Sequence, residues 1–329
     1  MVKRFILKLA LFLIPIVGLM GFIAYKLPKL PNTYNVKREY FEKQLDSIEV
    51  LILGNSHATW GIDPSLFSHK GFNLSNLAQS IYYDKELTLK YLPEMKKLKL
   101  VVITTSYFSL YYTMDRTSKE YNLDFWRVPF YFKFWDIKSR DETPLFDIHD
   151  YSMMALYYTE ESQQYIYNGF HRENYYTLCY NGFMKANKAA AKNTSDSINN
   201  ENINDSTGKR RVQLFNEVIN GPRKRERFNN VMSDITTLIK ELQKKNIRVV
   251  FVDLPVTGTC SKYFDQKIVE HNKTVLDSLC TQYGCKYFNY SDDTRFTIKN
   301  FQDDDHLNIS GAQLLSKIIN SDIIKPQLN

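Results

Sequence analysis

One short stretch constrains this chain more than any other. Residues 49–53 (Glu49-Val50-Leu51-Ile52-Leu53) are apolar after the first position, and the run breaks at Gly54-Asn55-Ser56-His57-Ala58. A brief continuous apolar run ending in a glycine turn reads as a strand buried on both faces, feeding a loop and then a helix. Such strands belong to parallel sheets. In open α/β sheets the reactive groups gather at the carboxyl ends of the strands. Ser56 therefore stands where a crevice is expected, with a backbone N–H beside it. That placement suits a nucleophile, provided that another part of the chain supplies a base.

The following segments repeat the rhythm. Asp63-Pro64 is a helix start, with Asp63 as N-cap and Pro64 at the first position. Phe72-Asn73-Leu74 is a second strand and leads into a polar loop, Asn76-Leu77-Ala78-Gln79-Ser80. Residues 84–95 carry helical spacing (Leu87, Tyr91, Leu92, Met95), and residues 98–104 form a third apolar strand. Strand–helix alternation of this kind predicts an α/β fold, a doubly wound parallel sheet. The rhythm stops from Ser106 to about Phe183, where much of the chain's complement of 23 tyrosines and 21 phenylalanines is concentrated. Tyr107, Phe108, Tyr111, Tyr112, Phe125-Trp126, Phe130-Tyr131-Phe132, Phe134-Trp135, Tyr157-Tyr158, Tyr165, Tyr167 and Tyr175-Tyr176 mark an aromatic-rich insertion over the sheet's carboxyl edge. Such rings suit a glycan platform or a membrane-surface face, and equally a helical hairpin packing its own small core. Residues 185–209 are polar and low in complexity and are expected to form a mobile loop. Then the alternation resumes: an amphipathic helix over 228–245, a strand over 248–254 stopped by Pro255, a helix over 264–283 and a short strand over 285–290. The expected domain is thus 48–321, with an insertion at about 106–227.

Residues 5–25 are apolar apart from Lys8, which is long enough to cross a bilayer. Lys3, Arg4 and Lys8 would hold the N-terminus in the cytoplasm and put the remainder outside, making residues 1–26 a single-pass anchor. A cleaved signal peptide is the alternative; no small-x-small site and no lipobox cysteine follows the run to favour it. Pro28, Pro31 and Tyr34 suggest an extended linker over 27–35, residues 36–47 read as a short helix or lead-in, and 27–47 together are set outside the domain as linker. The net charge of +7 arises partly around the anchor, at Lys3, Arg4, Lys8, Lys26 and Lys29. No basic stripe with a base-stacking motif is present, so nucleic acid is not an expected partner. The four cysteines, Cys179, Cys260, Cys280 and Cys285, lack C-x-x-C spacing, so no zinc site is expected. Cys280 and Cys285 either close a small disulfide loop or stay free.

The base is sought near the other end. Asp303-Asp304-Asp305-His306-Leu307-Asn308 precedes an amphipathic helix (Ile309, Leu314, Leu315, Ile318, Ile319) that Asn308 or Ser310 can cap. A carboxylate three residues before a histidine lies on the same turn. It can take one imidazole N–H and leave the other nitrogen facing away, as a general base requires. An acidic surface turn is the plainer reading, and a calcium site a third, although regular metal-loop spacing is missing.

Taken together, Gly54-Asn55-Ser56-His57 after the first strand and Asp303-x-x-His306 before the last helix resemble the SGNH (GDSL-type) hydrolase superfamily. The resemblance covers roughly residues 48–110 and 228–321. It implies a flavodoxin-like sheet, Ser56 as nucleophile, His306 as base and Asp303 as its orienter, with Asp305 as fallback acid, and no cofactor or metal. Departures are visible. Asn55 replaces the family's aspartate, the loop Asn76–Ser80 lacks the second block's glycine, and Thr104-Thr105-Ser106-Tyr107 replaces the third block. The oxyanion donors then reduce to the Ser56 N–H, with Asn76, Gln79 or a loop N–H as the second. An N-terminal anchor with such blocks is similar to the D-alanine transfer protein of teichoic acids and to alginate acetylation proteins. That likeness implies an extracytoplasmic esterase or O-acyltransferase acting on acyl esters of cell-surface glycans, beside a polytopic membrane acyltransferase. A catalytically inactive surface protein of the same fold, binding glycan or scaffolding a polysaccharide-modification complex, is the alternative.

Overall fold

Five short strands, three of them buried along their whole length, pair side by side at the centre of the fold. The computed structural model describes residues 2–26, 32–114, 127–140, 176–186 and 203–328; the side chains at 19, 20, 23, 24, 26, 129, 176 and 186 fall outside that description. Strands β1 (Val50–Leu53), β2 (Gly71–Asn73), β3 (Leu100–Thr105), β6 (Arg248–Asp253) and β7 (Lys286–Asn289) form a five-stranded sheet in the order β2-β1-β3-β6-β7. Every pairing is parallel; Val50 sits between Gly71 and Leu100, and Ile103 between Leu53 and Phe251. A second, antiparallel pair, β4 (Tyr176–Leu178) and β5 (Met184–Ala186), caps the β2 side, where the Asn73 N–H donates to the Asn181 carbonyl at 2.8 Å.

The period-2 geometry of the strands divides their apolar residues between two cores. Leu51, Leu53, Val101, Ile103, Val249 and Phe251 face helices α4 (Ile81–Tyr91), α6 (Asp205–Asn220), α7 (Lys224–Gln243) and α8 (Gln266–Tyr283). Val50, Ile52, Leu100, Val102, Val250 and Val252 face α9 (Ile309–Ile319) and the segment after it. Helices on both faces of a parallel sheet are the doubly wound arrangement expected from the alternation. The strand order reverses direction between β1 and β3, the switch point beside which ligands bind in open α/β sheets. Ser56 follows β1 and opens the short helix α3 (Ser56–Gly61).

Several expectations change. The short helix expected within 36–47 is α2 (Thr33–Glu42); it starts earlier, inside the stretch read as extended, with an Asn32–Asn35 capping box. Tyr34, Lys37 and Phe41 recur at helical spacing and are buried in the core, so this segment is part of the domain and not a tether to it. The loop expected over 185–209 gives way to α6 from Asp205, and residues 187–202 lie outside the described residues. Of the aromatic insertion, Tyr111, Tyr112, Phe130, Tyr131, Phe134 and Trp135 are core residues rather than a surface platform; helix α5 (Val128–Trp135) stacks Phe130 on Tyr34 at 5.0 Å and Tyr131 on Tyr83 at 3.8 Å. Phe125, Trp126, Tyr157, Tyr158, Tyr165, Tyr167 and Tyr175 lie outside the described residues. All four cysteines are free thiols, and burial pushes the Cys280 and Cys285 thiols up to about 12 and about 11. Helix α1 (Val2–Lys26) is 25 residues long, with Phe5, Ile6, Leu11, Phe12, Ile14 and Val17 exposed. Among the described residues, no helix is long and apolar enough to cross a membrane.

Candidate active site

The turn after β1 is built around a residue that only glycine can be. Gly54 has φ +138°, and a Cβ there would lie 1.9 Å from Thr104 Oγ1, which donates to the Leu53 carbonyl at 2.9 Å. Its N–H donates to the buried Asp84 carboxylate at 3.0 Å. Asn55 then caps α3: its side-chain oxygen accepts from the His57 N–H, and its carbonyl takes the N–H groups of Ala58 and Thr59. Those bonds use the first-turn donors around Ser56 and leave the Ser56 N–H uncommitted among the described residues.

Across the crevice, the loop before α9 folds back on itself. Asp303 accepts from the backbone N–H groups of Asp305 and His306 at 3.1 and 2.8 Å, and Asn308 caps α9 by accepting from the Gly311 N–H. The same Asp303 carboxylate lies 2.9 and 3.0 Å from His306 Nδ1. A carboxylate only accepts, so Nδ1 carries the proton and Nε2 presents its lone pair. Nε2 lies 2.8 Å from Ser56 Oγ. Ser56, His306 and Asp303, 250 residues apart at the extremes, thus form one hydrogen-bonded line in the order set out from the sequence. Burial lowers the His306 pKa, but the carboxylates of Asp303 and Asp305 outweigh it and hold the pKa above its ordinary value.

Asp305 does not take the place of Asp303. Its Oδ1 is 3.5 Å from His306 Nδ1, and its oxygens are held by Arg211 of α6 (Nε at 2.8 Å from Oδ1, a guanidinium N–H donating to Oδ2 at 2.9 Å) and by His57 Nε2 at 2.8 Å. Burial opposes charge on Asp305, but Arg211, His306 and His57 hold its carboxyl well below the usual range. Asp304 turns away, accepting from Thr207 and Thr259. His57, Asp305 and His306 lie close enough for three metal ligands. With both Asp305 oxygens already bound to a guanidinium, the arrangement is that of an ion pair, and a second cation would meet the Arg211 charge.

Of the proposed oxyanion donors, Gln79 is committed elsewhere. Its amide donates to Asp84 at 2.6 Å and to the Leu74 carbonyl at 3.4 Å, and its oxygen accepts from Tyr131 OH at 2.9 Å. Asn76 keeps its candidacy: its side-chain oxygen accepts from the Leu77 N–H at 2.9 Å, and no described acceptor takes its amide N–H groups. Its loop holds Ala78 at φ +53°, a left-handed conformation that favours glycine. The hydroxyls that replace the third block are occupied: Thr105 donates to Asp253, and Ser106 and Ser109 bond each other at 2.8 Å.

Sequence reasoning missed His57, Arg211, Asp84, Lys37 and Trp60. Trp60 and His57 set their rings edge-on against His306, with centroids 4.7 and 4.8 Å away. His57 was in view as the residue after the serine; nothing local marked the others.

No protein-family model matches the chain, and no curated protein matches it. Among solved structures, the crystal structure of a candidate acylhydrolase from Bacteroides fragilis NCTC 9343 aligns over 88% of this chain and 96% of its own, at 11% identity and a TM-score of 0.40. A likeness that distant assigns neither family nor activity. What stands for the chain itself is a parallel α/β fold that brings a serine, a histidine and an aspartate into hydrogen-bonded line at the sheet's switch point.

Proposed function

We propose that this chain is an SGNH-type serine esterase or O-acyltransferase that cleaves or moves acyl esters of cell-surface glycans through a Ser56 acyl-enzyme. The observation that carries the reading is the 2.8 Å contact between Ser56 Oγ and His306 Nε2, with Asp303 on the opposite ring nitrogen. Ser56 Oγ attacks the ester carbonyl as its proton passes to Nε2, and Asp303 stabilises the imidazolium. The carbonyl oxygen becomes an oxyanion facing the Ser56 N–H and the Asn76 amide. Collapse returns that charge to the carbonyl, breaks the C–O bond and expels the alcohol with the proton from Nε2. In the second half, water or a sugar hydroxyl gives its proton to His306 Nε2 and attacks the acyl carbon; the bond to Ser56 Oγ then breaks, Ser56 takes the proton back from Nε2, and the acid or the new ester leaves.

Helix α1 is the anchor in this reading. Its exposed apolar side chains and the flanking Lys3, Arg4 and Lys8 are what favour membrane attachment, with the domain on the extracytoplasmic side. Because α2 packs into the domain directly after residues 27–31, the site would stay close to the bilayer. There a polytopic acyltransferase could deliver the acyl group.

The test is turnover by the full-length chain in detergent, using p-nitrophenyl acetate and O-acetylated oligosaccharides, with acceptor sugars present or absent. Ser56-dependent release of acetate, or its appearance on the acceptor, is expected. Equal turnover by Ser56→Ala would refute the reading.

A further inference from the structure

A second line of charge crosses the triad, and none of its outer members takes part in the chemistry just described. Asp305 has a side chain only 1% exposed, next in sequence to the base. An unpaired carboxylate at that depth would cost several kcal/mol. The Arg211 guanidinium pairs with both its oxygens instead, donating one hydrogen bond to Oδ2, and His57 donates a second. Arg211 is delivered from the far side of the insertion. One turn earlier on α6, Gly208 brings the helix so close to the turn Gly258–Ser261 that a Cβ would lie 2.1 Å from the Thr259 carbonyl. The guanidinium then lies over the Phe215 ring at 5.2 Å. On the other side, His57 gives its Nε2–H to Asp305 and lays its ring edge-on to His306. Trp60 closes the opposite side.

We propose that Arg211 and His57 are positioning residues for His306, acting together through the buried Asp305 carboxylate. The proposal rests on the reading of His306 as the general base. Arg211 fixes Asp305, and Asp305 fixes His57. His306 is then confined between two rings, with its Nδ1 on Asp303. The line also sets the charge that the base feels. The groups facing His306 are Asp303 and Asp305 from its own loop, Ser56 and His57 from α3, and Arg211 from α6. Burial keeps His57 neutral by pulling its pKa down, so it adds no positive charge. Arg211 opposes protonation of His306, and Asp305 favours it. Removing either therefore moves the base in opposite directions, which mere loss of packing would not do.

The experiment has two readouts on the full-length chain in detergent: the pH dependence of fluorophosphonate labelling, and the titration of His306 by NMR of histidine-labelled protein. Arg211→Met is expected to move the acid limb and the His306 titration up by about one pH unit, and Asp305→Asn to move both down by a similar amount. Arg211→Lys keeps the charge but loses the two-point grip. It should hold the titration near the wild-type position while labelling slows, and it carries the test if Arg211→Met does not fold. Shifts in the same direction, or an unmoved titration with unslowed labelling in Arg211→Lys, would overturn the proposal. Failure of the underlying reading looks different: wild-type chain would show no Ser56-dependent labelling, while the NMR titrations would still report on the line of charge.

Discussion

Lys37 joins the helix that follows the N-terminal segment to the loop carrying Asn76, and its burial makes a prediction with a change of sign. Its side chain is 0% exposed, it donates to the Ser75 carbonyl, and burial pulls its pKa down from 10.5 to about 7. The unfolded chain keeps that proton up to about pH 10.4, while the native chain releases it near 7. Between those limits the unfolded state binds more protons, so native stability rises with pH across the window. The interval from about 7 to 10.5, at about 1.4 kcal/mol per pH unit, amounts to about 5 kcal/mol of destabilisation at pH 7 that has almost vanished by pH 10.5. Lys37→Met removes this term and keeps an apolar stem of similar length. It also deprives the Ser75 carbonyl of its donor, at a cost of about 1–3 kcal/mol. The variant should therefore be more stable than the parent by about 2–4 kcal/mol at pH 7 and, near pH 10, less stable by up to about 2 kcal/mol. Denaturant unfolding in one detergent at both pH values, followed by tryptophan fluorescence, measures the difference. The same sign of the difference at both pH values would refute the reasoning.

Other outcomes follow from the same geometry. Gly54→Ala forces a side chain into a left-handed position against Thr104 and should destabilise the fold by at least about 2 kcal/mol, read as a lowered Tm, while silencing Ser56. Asp303→Asn should leave Tm nearly unchanged and slow ester turnover by about 10³- to 10⁴-fold, because the imidazolium loses its carboxylate. Asn76→Ala should slow turnover by about 10²- to 10³-fold if its amide meets the oxyanion; an unchanged rate removes it from the site. The raised His306 pKa puts the acid limb of the pH–rate profile above the ordinary imidazole value of 6.5, with activity falling as pH drops through it. A limb below 6.5 contradicts the carboxylate pairing.

The parts of this protein that could be read from its sequence are those whose cause is local. Val50–Leu53 is apolar because both faces of β1 are covered, and Gly54 ends the strand because no side chain fits there. Asp303 and His306 share one turn, so their spacing alone brings carboxylate and imidazole together. What escaped was set by distance along the chain. Arg211 meets Asp305 across 94 residues, and nothing in the polar run around it marks that one arginine among its neighbours. Gln79 looked like a free amide because its partners, Asp84 and Tyr131, come from α4 and α5. The stretch before β1 looked like a linker because two prolines and many charges outweighed Tyr34, Lys37 and Phe41, whose spacing becomes meaningful only once the core they enter is known. The aromatic insertion reads as either a platform or a small core of its own for the same reason: Tyr131 and Trp135 pack, but against α2 and α4 in the main core.

The central claim is that Ser56 is an activated nucleophile, and one labelling experiment addresses it most directly. Full-length chain in detergent is treated with a fluorophosphonate probe beside Ser56→Ala and His306→Ala, and the modified residue is located by mass spectrometry. The account predicts covalent modification at Ser56 in the wild-type chain, none in Ser56→Ala and almost none in His306→Ala. A folded wild-type chain that takes no label, or one that is labelled equally in all three forms, would contradict it.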